Sequence, residues 1–372
     1  MIISISNPVQ ATQIFLVIFL ITILFSFRKK TNNDFFSNIL TQELKGLAIL
    51  SIVFAHIGYY LVNDNRFLFP LTIAAGVGVN MFLFLSGFGL ASSSLVKQYS
   101  IIQFYWRRIP KLYLPFWLSC LVFLLLDFFI LNRFYGAGYV GQTLLGFFPR
   151  ADIWLDLNSP LWYFSFIVFY YLLFPLVFWR RYVWLSSSVL YLAGYLLMKS
   201  DPVIIGQVMR LYQVHIMAFP LGVFFAGLVN CFNKRDWKNV CLDYATKYHL
   251  NKYLKRLGYW AMMTLLIWGI GNTAYFSHVG GERWLEEFVS LVTMSLVLVV
   301  FFIKKIESRF LILFGTYSYE IYLIHWPILS RFDISFRFLP AWLATVTYLL
   351  FFIAAGWGLQ ITAKLVANFR NK

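Results

Sequence analysis

The sequence predicts an all-α polytopic membrane protein, and its composition and hydropathy pattern are the observations behind this prediction. Of its 372 residues, 60% are hydrophobic and only 12% are charged, whereas a soluble domain has about 45–50% apolar and about 25% charged residues. Apolar runs recur from one end of the chain to the other. Each run has about 20 residues, the length that a bilayer-spanning helix needs. Together these features exclude a water-soluble globular protein.

Apolar runs separated by polar breaks predict about eleven transmembrane helices. The first run is followed, and not preceded, by the basic residues Arg28, Lys29 and Lys30, which is the reverse of a cleaved signal peptide. We therefore expect the first run to remain in the membrane as a helix, with the N-terminus outside. The predicted spans lie near residues 10–27, 44–62, 68–92, 112–131, 161–179, 182–198, 211–229, 257–275, 284–303, 310–329 and 340–363.

The distribution of Lys and Arg predicts the orientation of these helices. With the N-terminus outside, 23 of the 31 Lys and Arg residues fall in cytoplasmic segments, 8 fall in outer segments, and the C-terminus is cytoplasmic. Such a bias is typical of multi-pass membrane proteins, and it accounts for the net charge of +16 without a nucleic-acid partner. We expect a multi-pass protein of a bacterial plasma (inner) membrane, surrounded by lipids. Its longest outer loop, residues 132–160, has a length typical of a functional lid or a disordered segment.

The cysteines indicate neither a disulfide framework nor a metal site. Cys120, Cys231 and Cys241 are odd in number and scattered along the chain. The spacing of the last two to His249 fits no zinc-binding pattern. We therefore expect a protein without a metal cofactor.

Two histidines lie at similar depths in predicted spans that run outward from the cytoplasm. His56 is eleven residues beyond Lys45 in the second span, and His325 is ten residues beyond Gly315 in the tenth. A rise of 1.5 Å per residue then gives depths of about 16 and 15 Å. Ionisable groups inside a bilayer are costly and are candidates for function, and Glu320 lies in the same tenth span. If the two helices are neighbours, the histidines define a site; a structural role in holding helices together is the alternative.

A basic cluster precedes the fourth span. It comprises Arg107, Arg108 and Lys111, and arginine-rich clusters bind phosphate well. Basic residues beside a span are also what helix orientation requires, and they bind anionic lipid headgroups. Both interpretations are open from the residues alone. The remaining ionisable residues considered within the spans receive no predicted role: Asp127, Arg210 and His215.

Five blocks in a fixed order resemble the acyltransferase family 3 integral membrane proteins. They are residues 45–50 followed by His56, then 78–88, 104–111, 161–165 with 171–175, and 315–327. Lys45 and Lys111 stand where arginine is more usual, and Ile167 and Val168 stand where many members carry glutamates. The resemblance implies a membrane acyltransferase domain over 44–372, with an additional N-terminal helix and cytoplasmic linker over 1–43 and no separate soluble domain.

The resemblance implies an O-acyltransferase that moves an acyl group, most often acetyl, from cytoplasmic acyl-CoA to a hydroxyl of a cell-surface or exported glycan. His56 would act as general base or form a covalent acyl-histidine, and His325 and Glu320 would orient or polarise the reacting groups. Two sets of binding residues are expected: Lys45, Arg107, Arg108 and Lys111 for the acyl-CoA phosphates, and Asn80, Ser86, Trp162, Tyr319 and Tyr322 for the substrate.

Three alternative functions are compatible with an all-helical bundle that carries polar residues at mid-membrane. A glycan or lipid flippase or transporter would need no basic cluster for phosphate. The other large class of membrane-bound O-acyltransferases also uses an intramembrane histidine, but the five ordered blocks argue against it. The third alternative is a non-catalytic sensor or partner subunit with the same fold. The acyl group, the acceptor sugar and the oligomeric state are not predicted.

Overall fold

The computed structural model describes residues 3–30, 36–148, 151–200, 208–234, 252–277 and 283–370. Almost all of this part is helical, and two short strands form one small sheet. The helices, in chain order, are α1 (Pro8–Ser26), α2 (Asn38–Ala55), α3 (Ala75–Val96), α4 (Ile101–Leu131), α5 (Ala137–Leu144), α6 (Trp162–Val177), α7 (Val183–Ser200), α8 (Met209–Gln213), α9 (Ala218–Lys234), α10 (Lys252–Phe276), α11 (Arg283–Ile303), α12 (Arg309–Thr316), α13 (Ser318–Arg331), α14 (Ser335–Phe338) and α15 (Ala341–Arg370).

Within the described residues, eight helical segments are long and apolar enough to cross a membrane. The prediction of a helical membrane protein is therefore confirmed, whereas the number eleven and the orientation stay predictions. The three other predicted spans fall on α7, on α10 and on the pair α12 and α13. The eight segments are Pro8–Ser26, Asn38–Leu61, Leu71–Val96, Ile101–Leu131, Ser159–Val177, Met209–Phe232, Leu285–Ile303 and Ala341–Asn368.

Helix α2 changes its geometry where His56 lies. Its N-terminus is capped by Ser37, whose hydroxyl accepts the Leu40 N–H at 3.1 Å. The helix continues beyond Ala55 as the π-helical turns His56–Leu61. The wider π-helix is rare and frequently marks functional sites. His56 is thus the first residue of the irregular part of this span.

The predicted tenth span is two helices, because Tyr317 separates α12 from α13 in a non-helical conformation (φ −109°, ψ 13°). Helix α12 packs closely on α2. Gly46 of α2 and Gly315 of α12 have no room for a Cβ, since each faces a backbone carbonyl of the other helix. Small residues at a helix–helix contact permit this close approach. The fit of α12 against α2 therefore positions the start of α13, which carries His325.

The two strands lie at the end of the bundle that the charge distribution assigns to the cytoplasm. Strand β1 (Phe27–Lys29) pairs antiparallel with β2 (Ile306–Ser308). Beside this sheet, the buried carboxylate of Glu43 accepts hydrogen bonds from Lys304 Nζ and from the backbone N–H of Ser308, each at 2.6 Å. These contacts join the end of α1 and the start of α2 to the connection between α11 and α12.

Candidate active site

The two histidines predicted at similar depths are in direct contact. His56 Nδ1 lies 2.8 Å from His325 Nε2, and the ring centroids are 4.9 Å apart. His325 is fully buried. Its Nδ1 lies 3.1 Å from the Ile321 carbonyl oxygen and 2.9 Å from that of Tyr322. The pair thus forms a hydrogen-bonded chain from the backbone of α13 to His56.

The two backbone carbonyls that His325 contacts determine which ring nitrogens of the histidine pair carry protons. A carbonyl oxygen only accepts, so His325 Nδ1 carries a proton and donates it, and Nε2 of the neutral ring is an acceptor. His56 Nδ1 must then donate to His325 Nε2. This assignment rests on the hydrogen-bond network, and it makes His56 Nε2 of the neutral ring an acceptor that has no partner in the described part of the chain.

His56 lines a cavity of about 640 Å³, a volume within the range of small-molecule sites. His325 lies behind His56 and does not line it. The cavity contains His215 on another wall and no Asp, Glu, Lys or Arg among its described lining residues. Its walls are rich in aromatic side chains: Tyr59, Tyr60, Phe82, Trp162, Tyr163, Tyr322 and Trp326.

Part of the predicted outer loop covers the cavity. Ala151, Ile153, Ser159 and Pro160 line it, and α13 binds the backbone of this segment through several side chains. Trp326 Nε1 donates to the Ile153 carbonyl at 3.2 Å. The Tyr322 hydroxyl donates to the Pro160 carbonyl, and Arg331 donates to the Asp156 and Leu157 carbonyls. In the reverse direction, Asn158 Nδ2 of the segment donates to the Leu323 carbonyl of α13 at 2.8 Å.

Asp127, which had no predicted role, anchors this covering segment. It is fully buried near the end of α4, and its Oδ1 lies 3.3 Å from Arg331 Nε. The Tyr135 hydroxyl donates to Asp127 Oδ2 at 2.6 Å. Burial and this hydrogen bond raise the pKa of Tyr135, so the hydroxyl stays a donor. The ion pair fixes the guanidinium that holds the loop carbonyls.

His215, also without a predicted role, is the second imidazole of the cavity. It lies in the turn between α8 and α9, where its ring stacks on Trp162 with centroids 5.8 Å apart. Its Nδ1 is 2.7 Å from Asn80 Oδ1. Asn80 Nδ2 donates in turn to Ser290 Oγ at 2.8 Å. Asn80, predicted to bind substrate, is completely buried and supports His215.

The basic cluster lines a groove of about 950 Å³ at the start of α4. Arg107 and Lys111 are exposed and Arg108 is half-buried, and all three line the groove. Arg108 Nη2 donates to Ser93 Oγ at 2.9 Å, and the Arg107 guanidinium lies 5.0 Å from the centroid of the Tyr99 ring. The cluster therefore forms one wall of a concave surface.

Polar side chains of α3, α4 and α6 lie between the groove and the cavity. Arg108 and the Tyr171 phenol interact electrostatically, and the Ser86 hydroxyl interacts with both Tyr171 and Tyr163. Tyr163 lines the cavity. Ser93, which binds Arg108, is eleven residues from the cavity residue Phe82, which corresponds to about 16 Å along a helix.

The other predicted site residues have different positions. Glu320 accepts a 3.4 Å hydrogen bond from Gln360 of α15 and attracts Lys45 electrostatically. Neither Glu320 nor Lys45 lines the cavity or the groove. Tyr319 donates its hydroxyl to the Leu112 carbonyl at 2.6 Å, which ties α13 to α4. Of the predicted substrate-binding residues, Trp162 and Tyr322 line the cavity.

No group of three or more His, Cys, Asp or Glu side chains in the described part of the chain could hold a metal ion. The hydrogen-bonded histidine pair beside the aromatic cavity has the geometry for proton transfer to and from a bound hydroxyl. His215 was noted in the sequence but received no predicted role, because its partner Asn80 is 135 positions away. The available signal was the presence of two polar groups in separate apolar spans, which gain by pairing.

Comparison with known proteins identifies the family. The family model for acyltransferase family 3, described as an acyltransferase domain, matches residues 44–361. No curated protein and no solved structure gives a significant match. The matched region contains the histidine pair, the cavity and the three basic residues of the groove, and it covers most of the chain. The chain therefore belongs to acyltransferase family 3, a family of membrane acyltransferases.

Proposed function

We propose that the protein is a membrane O-acyltransferase that moves an acyl group, preferably acetyl, from cytoplasmic acyl-CoA to a hydroxyl of a cell-surface or exported glycan. One observation carries the proposal. The hydrogen-bonded chain through His325 leaves His56 Nε2 as an acceptor in an aromatic cavity. A general base needs such a nitrogen within reach of the acceptor hydroxyl.

The reaction is direct transfer. His56 Nε2 takes the proton of the acceptor hydroxyl while the oxygen attacks the thioester carbonyl carbon. The C–S bond then breaks, and the departing thiolate takes the proton back from His56. The His325 ring accepts the hydrogen bond from His56 Nδ1, so it stabilises the transient imidazolium and keeps its orientation. His325 is thus a positioning residue.

The acyl donor binds as substrate along the groove. Arg107, Arg108 and Lys111 lie on one concave wall, where cations bind the phosphates of acyl-CoA. The thin pantetheine arm then follows the line from Arg108 past Ser86 and Tyr163. The location of the groove at the predicted cytoplasmic end agrees with a cytoplasmic donor, and the outer loop over the cavity agrees with an acceptor that enters from outside.

The aromatic walls support a carbohydrate acceptor. Tyr60, Trp162 and Trp326 line the cavity, and aromatic rings combine an apolar face with a polar edge. The apolar faces of sugar rings pack on such surfaces, and the sugar hydroxyls bind at their edges. A sugar packed on these rings would have its acceptor hydroxyl beside His56.

The test is acyl transfer by the purified protein in lipid nanodiscs, with radiolabelled acetyl-CoA and a panel of glycans. The wild-type protein should form acyl glycan, and His56→Ala should reduce the rate by about 10²–10⁴-fold, the range of general base catalysis. Tyr195→Phe, in an exposed ring outside the cavity, is the control. Full activity of a well-folded His56→Ala protein contradicts the mechanism. Glycan movement across the membrane without acyl transfer favours a flippase.

A further inference from the structure

A second imidazole that can accept a hydrogen bond lines the cavity, on a segment distant from His56 in sequence. His215 lies between α8 and α9 and is almost fully buried. Its Nδ1 is 2.7 Å from Asn80 Oδ1, and an amide oxygen only accepts. His215 Nδ1 therefore carries the proton, and in the neutral ring Nε2 is an acceptor with no partner among the described residues.

The surroundings hold this ring in a fixed orientation. Asn80 is completely buried, and its Nδ2 donates to Ser290 Oγ at 2.8 Å, so its amide is anchored on the side away from His215. The His215 ring stacks on Trp162 at an interplanar angle of 17°. Buried polar groups anchored in this way are geometrically specific. The cost of burying three polar side chains in a membrane protein points to a binding role for the imidazole.

The lining of the cavity restricts the charge of what binds there. The described side chains include two imidazoles, several tyrosines and tryptophans, and no Asp, Glu, Lys or Arg. Among these described residues, a carboxylate or phosphate on the ligand would find no cationic side chain to replace its lost hydration, which is unfavourable in a mostly apolar site. The described lining therefore favours a ligand without charge.

We propose that the acceptor is an uncharged sugar and that His215 Nε2 accepts a hydrogen bond from a second hydroxyl while His56 Nε2 binds the reacting one. This inference rests on the proposed function and identifies the acceptor class for the same site. Two imidazole acceptors on different walls determine which hydroxyl lies beside the thioester. His215 is thus a residue that determines regiospecificity, and Asn80 positions it.

The first experiment measures acyl transfer from acetyl-CoA to methyl glycosides of glucose, galactose, mannose and glucuronic acid. The wild-type protein should acylate at least one of the neutral glycosides at one main position and should not acylate the glucuronoside. NMR of the product identifies the position. Acylation of the glucuronoside alone, or at a rate equal to that of the neutral glycosides, overturns the inference, as does transfer to water without acylation of any neutral glycoside.

The second experiment combines His215→Phe with monodeoxy derivatives of the acylated glycoside. Phenylalanine keeps a ring that can stack on Trp162 and removes the acceptor nitrogen. For wild type, one monodeoxy derivative should react with kcat/KM about tenfold lower, the loss expected for one hydrogen bond. In His215→Phe, the parent glycoside should react about tenfold more slowly, and that derivative should show no further loss. Independent, multiplicative losses contradict the role of His215.

Asn80 provides a second test that does not depend on the folding of His215→Phe. Asn80→Asp keeps an oxygen acceptor for His215 Nδ1, and the Ser290 hydroxyl can donate to it, so the acylation position should be retained. Asn80→Leu removes the acceptor and should spread the product over several hydroxyls. An unchanged product pattern in Asn80→Leu overturns the positioning role. Failure of the proposed function is distinguishable, because the wild-type protein would then transfer no acyl group to glycan or water.

Discussion

His325 Nε2 lies 2.8 Å from His56 Nδ1, and this contact joins the π-helical end of α2 to the middle of α13. Because His325 Nδ1 is held by backbone carbonyls, the direction of the hydrogen bond is set by the main chain of α13 and not by another titratable side chain. The position of His56 is therefore supported by a helix whose own contacts extend to α4, α15 and the outer loop.

Replacement of His325 should lower the turnover rate and leave donor binding intact. His325→Phe removes the acceptor for His56 Nδ1–H, and we expect kcat to fall at least about 100-fold. His325→Gln has a side chain of similar length whose amide oxygen can still accept the His56 Nδ1–H, so this variant should retain more activity. Steady-state acetyl transfer by the purified variants measures both effects. Equal kcat for the Phe variant and wild type would falsify the supporting role of His325.

The basic groove should control donor affinity. Arg107→Gln and Lys111→Gln each remove one cation from the groove, and each should raise the KM for acetyl-CoA about tenfold, the value of one charge-assisted hydrogen bond to phosphate. The kcat should change little, because the groove is about 16 Å from the cavity along α3. The control is Lys199→Gln, an exposed lysine at the end of α7. A fall in kcat with no change in KM would assign the cluster to another role.

Two neighbouring glycines of α3 should respond in opposite ways to alanine. A Cβ at Gly87 would overlap the Phe219 carbonyl of α9, whereas a Cβ at Gly89 meets no atom within 4 Å. Gly87→Ala should lower the free energy of unfolding by about 3 kcal/mol or more, because the clash involves backbone. Gly89→Ala should be neutral or stabilising by up to about 1 kcal/mol. Thermal unfolding in detergent compares the two, and equal melting temperatures contradict the packing argument.

Hydropathy predicted the helical membrane class, because burial in lipid imposes long apolar runs whatever the tertiary fold. It did not predict helix ends. The fourth span was expected from 112, but α4 begins at Ile101, where Ser100 and Gln103 form a reciprocal cap. Periodicity also missed the break at Tyr317, since this break depends on the contact between α12 and α2. The residues next to Tyr317 in the sequence do not indicate that contact.

The sequence predicted the site only for residues whose depth in the membrane could be calculated. The helical rise per residue placed His56 and His325 at similar depths, and the two rings are in contact. Glu320 lies five residues before His325 on the same helix but faces α15. The sequence did not predict this difference, because the direction of a side chain depends on the rotation of the helix, which hydropathy does not specify. The pairing of His215 with Asn80 required knowledge of which helices are neighbours.

The last prediction concerns the ion pair between Asp127 and Arg331, whose contributions to stability and to acceptor binding can be measured separately. Arg331→Met leaves the carboxylate of Asp127, which is completely buried, without its cation. Breaking a buried pair from one side typically costs about 3–5 kcal/mol, and we expect a loss of this size in thermal unfolding. The double variant Asp127→Leu/Arg331→Met contains no unpaired buried charge, so most of the stability should return.

Activity should not return with it. Arg331 also donates to the Asp156 and Leu157 carbonyls, and these contacts hold the outer segment over the cavity. The double variant lacks them, so its KM for the acceptor should stay high while its melting temperature approaches that of wild type. Asp127→Asn removes the negative charge but keeps an amide oxygen that can accept from Arg331 and Tyr135; it is the matched control and should retain a lower acceptor KM than the double variant. If the double variant regained wild-type acceptor kinetics, the outer segment would not need this anchor to cover the site.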